Sequence, residues 1–204
     1  DAISRLKATL PIYSDLKHEN LIELIEAKEI GAGFAMVFKW VDGDCMGRMY
    51  PAAYRRFIQL PINDRLAVFS DILSFLECVV SRNYVAIDFY DGSIMYDFVN
   101  GKTTICDIDL FRKQPCVNDM GHMWGSSRFQ SPEEHQLGAD IDEITNVYTL
   151  GATAFALFGE YNRTREKWQL SDKLFEIATR AVSDDRANRQ QTIRQFTAEW
   201  EAAQ

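Results

Sequence analysis

Residues 84–112, YVAIDFYDGSIMYDFVNGKTTICDIDLFR, constrain the fold more than any other stretch of this sequence. They read as a strand end, a polar turn holding Asp88, a short hairpin, and a second exposed acid, Asp107. Two turn signals punctuate the run, Asp91-Gly92 and Asn100-Gly101, and the second lies between two alternating segments, 93–98 and 102–105. Asn-Gly favours a two-residue hairpin loop, because both residues tolerate positive φ. Such a hairpin sets Asp88 and Asp107, 19 positions apart, on neighbouring loops facing one cleft. Carboxylates so arranged suit phosphoryl transfer: one orients an acceptor hydroxyl and the other holds a metal ion. Aspartate is also a common turn former, so the two acids alone do not make a site.

With 204 residues, 47% of them hydrophobic, the chain has apolar material for a sizeable core. Its net charge of −8 argues against a nucleic-acid or anionic-membrane surface, so neither partner is expected. Cys45, Cys78, Cys106 and Cys116 form no CxxC pair and have no histidine at metal spacing. They read as reduced thiols rather than zinc ligands. No apolar run approaches membrane-spanning length and no signal peptide is visible, which together with the thiols implies a cytoplasmic protein. The chain opens at Asp1 rather than Met, which reads as a fragment or a processed product.

Along the chain, residues 1–17 have a helical composition, but Pro11 forbids one unbroken helix unless a helix begins there. Segments 23–27 and 34–41 flank Gly31-Ala32-Gly33 and predict a short β-hairpin. Residues 45–57 are amphipathic. Asn63-Asp64 then caps a longer helix whose apolar positions Leu66, Phe69, Leu73, Leu76 and Val80 recur at three and four. After Asp107 about 25 residues carry little periodicity, a length that ordinarily marks a functional or mobile loop. Residues 140–158 return to a hydrophobic helical pattern.

Taken in order, these segments resemble the protein-kinase family. Ala86-Ile87-Asp88, followed by Ser93, stands where the family has HRDxxxxN, and Asp107-Ile108-Asp109 stands where it has DFG. AMVFKWVDG at 35–43 resembles the strand leading into the family's hinge. The likeness implies Phe38 as gatekeeper, adenine contacts from the backbone of Lys39, Trp40 and Val41, and Met95 on the cleft floor. GSSRFQSPE at 125–133 resembles GTxxYxAPE, which implies that Ser126 bridges to the catalytic aspartate. TNVYTLG at 145–151 resembles the family's buried αF helix, with Asn146 for Asp, and DRANR at 185–189 resembles a motif whose arginine pairs with Glu133. The resemblance covers about residues 12–203.

What it implies is an α+β, protein kinase-like fold: a mainly α-helical large lobe with a short β-hairpin catalytic region and a remnant of the small lobe. Residues 1–38 would hold the family's αC helix and its fourth and fifth strands, 39–44 the hinge, and 45–204 the large lobe. The implied activity is that of a bacterial enzyme moving the γ-phosphate of ATP to a protein hydroxyl, with Ser/Thr preferred. Asp88 would serve the acceptor, and Mg²⁺ would sit on Asp107 with help from Ser93 or Asp91. A partner-docking module without transferase activity and a small-molecule kinase are the alternatives. The chain departs from the family in several places. No GxGxxG or VAIK is present, and the αC glutamate position falls on Thr9. Tyr90 stands in for a catalytic-loop lysine and Ile87 for the HRD arginine, while the loop offers only His122 near the usual phosphosite. Regulation by loop phosphorylation is therefore not expected. The phosphate clamps would lie ahead of Asp1, so residues 1–204 are expected to lack transferase activity alone.

Overall fold

The structure, a computed structural model, describes residues 2–204. Pro11 sets how the chain begins. Helix α1 (Ala2–Ala8) stops, and α2 (Leu10–Asp15) starts with Pro11 in its first turn, where a missing N–H breaks no helical bond. Strands β1 (Leu24–Ile30) and β2 (Gly33–Phe38) pair antiparallel across a turn in which Gly31 takes φ +58°.

Next come β3 (Asp44–Cys45), α3 (Pro51–Phe57), α4 (Ile62–Ser81) and β4 (Tyr84–Val85). The central hairpin is β5 (Ile94–Asp97) and β6 (Lys102–Ile105), and β3 joins it as a third strand on the β5 side. Two short strands, β7 (Arg112–Lys113) and β8 (Cys116–Val117), follow, then β9 (Asp140–Ile141) and the helices α5 (Glu143–Phe158), α6 (Asp172–Ala181) and α7 (Ile193–Ala202). The result is a mixed α and β molecule with small sheets.

Four local expectations are corrected. The hairpin loop has four residues, 98–101, because Asp97 pairs with Lys102 in the last rung. The Asp97 carboxylate accepts from the N–H groups of Val99 and Asn100 at 2.8 and 3.1 Å, and only Gly101 goes left-handed. Helix α3 begins at Pro51, since residues 44–45 are taken into a sheet. Pro61 rather than Asn63-Asp64 precedes α4, with no side-chain cap. The stretch after Asp107 is tied down twice, β7 to β4 and β8 to β9.

The core forms around α4 and α5. Along α5 every residue from Thr145 to Phe158 is buried. Phe69, Phe158, Phe196 and Trp200 stack and tilt against one another where α4, α5 and α7 meet. Gly151 lets α6 close on α5, because a Cβ there would lie 2.7 Å from that of Ala181. The same cluster continues through Leu76 and Phe75 to Tyr13 and Ile12 on α2 and to Leu16 just after it. One apolar core therefore serves both the 1–38 and the 45–204 segments. Among the described residues no helix is long and apolar enough to cross a membrane.

Candidate active site

Two anchors position the turn that carries Asp88. The side chain of Asn146, on the fully buried face of α5, accepts from the Ala86 N–H at 2.9 Å. The N–H of Cys106 donates to the Ser93 carbonyl at 2.9 Å, which joins the two ends of the hairpin and carries Asp107 toward Asp88. Both aspartates adopt the left-handed region, with φ +61° and +57°. Such residues cost on the order of 1–3 kcal/mol and persist only where surrounding structure fixes them.

The two acids share one electrostatic neighbourhood. Burial pushes the Asp88 carboxyl up to about 6, and the charge of Asp107 adds to the rise. Asp107 is itself raised, first by burial and then by the charge of Asp109. Among the described residues neither Asp88 nor Asp107 is in an ion pair. Asp109 is held from the other side: the Tyr13 hydroxyl on α2 donates to it at 2.9 Å.

Asp88 opens onto a cavity of about 580 Å³, lined also by Tyr90, Leu110, Trp124, Gly125, Ser126 and Arg5. The Gly125 backbone presses so close that a Cβ there would sit 3.2 Å from Asp88 Oδ1, and its φ of +143° suits glycine alone. Ser126 shares the cavity, but among the described residues its hydroxyl makes no hydrogen bond to Asp88. Its carbonyl instead accepts from Phe129 and Gln130. Arg5 is the residue the sequence reading missed. It reaches the cavity from α1, more than 80 positions before Asp88, and no motif marks it.

The expected metal ligands divide. Asp107 keeps access to solvent although the surrounding protein raises its carboxyl, and such a group is a suitable donor for Mg²⁺, which needs only one or two carboxylates besides waters and phosphates. Asp91 is not open: it is 2% exposed, Arg128 donates to both its oxygens at 3.1 and 3.3 Å, and the Tyr161 hydroxyl donates at 2.6 Å. Ser93 is fully buried, with its hydroxyl turned back to the Asp88 carbonyl at 3.5 Å. Their short spacing from Asp88 suggested ligands, but tertiary partners consume one and bury the other. Among the described residues no group of three or more His, Cys, Asp or Glu could hold a metal by itself.

The expected adenine contacts lie elsewhere. Lys39, Trp40 and Val41 line a larger cavity of about 730 Å³, together with Tyr13, Leu16, His18 and Glu23. Asp88 borders the smaller cavity and not this one, and Asp107 borders neither. The Lys39 N–H is already spent on the Glu23 carbonyl at 2.9 Å, and the Trp40 side chain is 85% exposed. Phe38 packs on Tyr13 with ring centres 5.1 Å apart, and Met95 pairs with Cys45 and Thr104 in the sheet. Neither lines either cavity.

Behind the site, Glu133 and Arg189 form a bidentate pair at 2.7 and 2.9 Å, both buried. Arg186 also reaches Glu133, at 2.7 Å, and it grips both oxygens of Asp142 at the start of α5. This pair spans the 56 positions that separate its partners in sequence.

Comparison with known proteins points the same way, at a distance. Over 178 residues the chain is 20% identical to mitogen-activated protein kinase kinase kinase 1b of Physcomitrium patens. The chain resembles a kinase. The match takes in 84% of this chain and 22% of that protein, so the chain spans about a fifth of its relative's length. No family model matches the sequence.

Proposed function

We propose that the chain is the greater part of a protein kinase-like phosphotransferase, with a remnant of the small lobe in 1–38, and that Asp88 and Asp107 are its working acids. One observation carries the reading. Asp88, at the mouth of a cavity, and Asp107, which lines neither cavity but whose charge reaches Asp88, are both left-handed and both raised by burial and by a neighbouring acid, with no ion pair to either among the described residues. Strain and charge gathered in this way are features of functional sites.

In this reading Asp88 serves the acceptor. With its carboxyl at about 6 it is ionised at neutral pH and accepts the hydroxyl proton as the acceptor oxygen takes the γ-phosphoryl group and ADP leaves. Arg5 supplies positive charge to the same cavity, where the sequence has Tyr90 in place of a lysine. Ser126 and Tyr90 contribute hydroxyls, and Leu110 and Trp124 give the acceptor an apolar wall. Asp107 would hold Mg²⁺, which when bound neutralises phosphate charge. The nucleotide is ATP, and the acceptor is a protein hydroxyl.

A second reading, a module that docks a partner without transferring phosphate, draws on the closed state of Asp91 and Ser93 and on the occupied Lys39 N–H. Radiolabelled transfer from ATP to a protein acceptor separates the two, measured on this chain and on its longest natural form. Asp88→Asn should lower transfer about 10²–10⁴-fold and leave nucleotide affinity intact. Near-wild-type turnover by the variant would remove Asp88 from the chemistry.

A further inference from the structure

His122 and His135 do nothing for the site described above, yet their rings meet. The two Nδ1 atoms lie 2.7 Å apart, with ring centres 4.6 Å apart and planes at 38°, and both residues are exposed. The third histidine, His18, is remote and contacts Ser74. We propose that His122 and His135 form a two-imidazole site for a divalent transition-metal ion of tetragonal preference, with water completing the coordination.

The backbone under the pair is fixed independently of the rings. The Met123 N–H donates to the Glu134 carbonyl at 2.9 Å, one residue inside each histidine. The buried side chain of Asn118 accepts from the Met120 and Gly121 N–H groups and donates to the Gly121 and Glu133 carbonyls, so it ties the His122 turn to the His135 turn. Buried Gln130 donates to the Met123 and Trp124 carbonyls. On the His135 side, Glu134 closes a capping box with Ser131, and Glu133 is locked to Arg189. Two imidazoles on rigid backbone bind an ion with little ordering left to do.

The spacing is compatible with one ion held between the rings. Two nitrogens about 2.05 Å from one ion stand about 2.9 Å apart at a right angle and about 3.3 Å apart at the tetrahedral angle. The observed 2.7 Å opens to the first with a small ring shift and to the second with a much larger one. Imidazole with tetragonal geometry suits Ni²⁺ and Cu²⁺ ahead of Zn²⁺. Coordination requires both rings to carry their proton on Nε2. The bound ion would then staple the loop before Ser126 to the turn after it.

The test is calorimetric titration of the tag-free chain with Ni²⁺, read beside the thermal midpoint. The wild type should bind one equivalent and melt higher, and Zn²⁺ should bind more weakly. His122→Ala and His135→Ala should each abolish the equivalent and the thermal shift, while His18→Ala should keep both. An equivalent that survives both alanine variants would place the metal elsewhere. An absence of binding by the wild type would leave the pair as a plain imidazole hydrogen bond, and either result would overturn the proposal.

Discussion

Glu133 is buried and Asp88 half-buried, and the chain treats the two acids in opposite ways. Burial alone would raise Glu133, but the hydrogen bonds and charge of Arg189 outweigh it and hold the carboxyl below its ordinary range. Asp88 meets burial and then a second acid, with no cation paired to it, and its carboxyl rises to about 6. A buried charge with a matched partner is part of the scaffold. A charge kept unpartnered at a cavity mouth opposes stability, and that expense fits a group retained for chemistry. Four changes test how deep this contrast runs.

Arg189→Ala should show the largest effect. It leaves Glu133 buried without its main partner, at roughly 3–5 kcal/mol. For a chain of this length each kcal/mol moves the melting midpoint by about 2–4 °C. A midpoint that does not move would mean Arg186 alone satisfies Glu133, and the scaffold side of the comparison would fail.

Asn146→Ala strips the Ala86 N–H of its acceptor inside the core, so a loss of about 1–3 kcal/mol is expected in denaturant unfolding. The change also frees the turn that holds Asp88, so nucleotide-dependent activity should fall with stability. Tyr13→Phe removes only the hydroxyl that reaches Asp109 and keeps the ring on Phe38. Its expected cost is about 1–2 kcal/mol, and an unchanged midpoint would detach α2 from the Asp107 loop.

Asp88→Asn should be the smallest and of opposite sign. A carboxyl raised from 3.8 to about 6 gives a contribution that is full below 3.8 and is lost as pH climbs through about 6. The variant should therefore match wild type near pH 3.5 and exceed it above pH 7 by less than about 1 kcal/mol, since Asp88 is partly solvated. Glu134, raised by burial to about 7, tilts both proteins alike and largely drops out of the difference. Glu133 runs the other way: its contribution is present above the ordinary 4.5 and is lost as pH falls. If Asp88→Asn destabilised the chain at pH 8, Asp88 would belong with Glu133 as scaffold.

The Glu133–Arg189 pair was legible because the resemblance implies it, each residue lying in a stretch that the likeness covers. The β5–β6 hairpin was legible from alternation and turn residues. Its loop length was not, because the Asp97 side chain caps two N–H groups and so favours a longer turn than Asn-Gly alone. The fate of Asp91 was invisible for a different reason: Arg128 and Tyr161 reach it from 37 and 70 positions away. Arg5 escaped because a lone arginine on a short helix carries no pattern, and it reaches the cavity from α1, which packs on β2 and α2.

The central claim is that the unpartnered acids receive a nucleotide through a metal ion. It is tested most directly by binding of a non-hydrolysable ATP analogue to the chain, with and without Mg²⁺. Wild type should bind only when Mg²⁺ is present. Asp107→Asn should weaken that binding about tenfold or more, the equivalent of about 1.4 kcal/mol, while Asp88→Asn leaves it within about twofold. Affinity that ignores Mg²⁺, or that survives Asp107→Asn unchanged, would contradict the account.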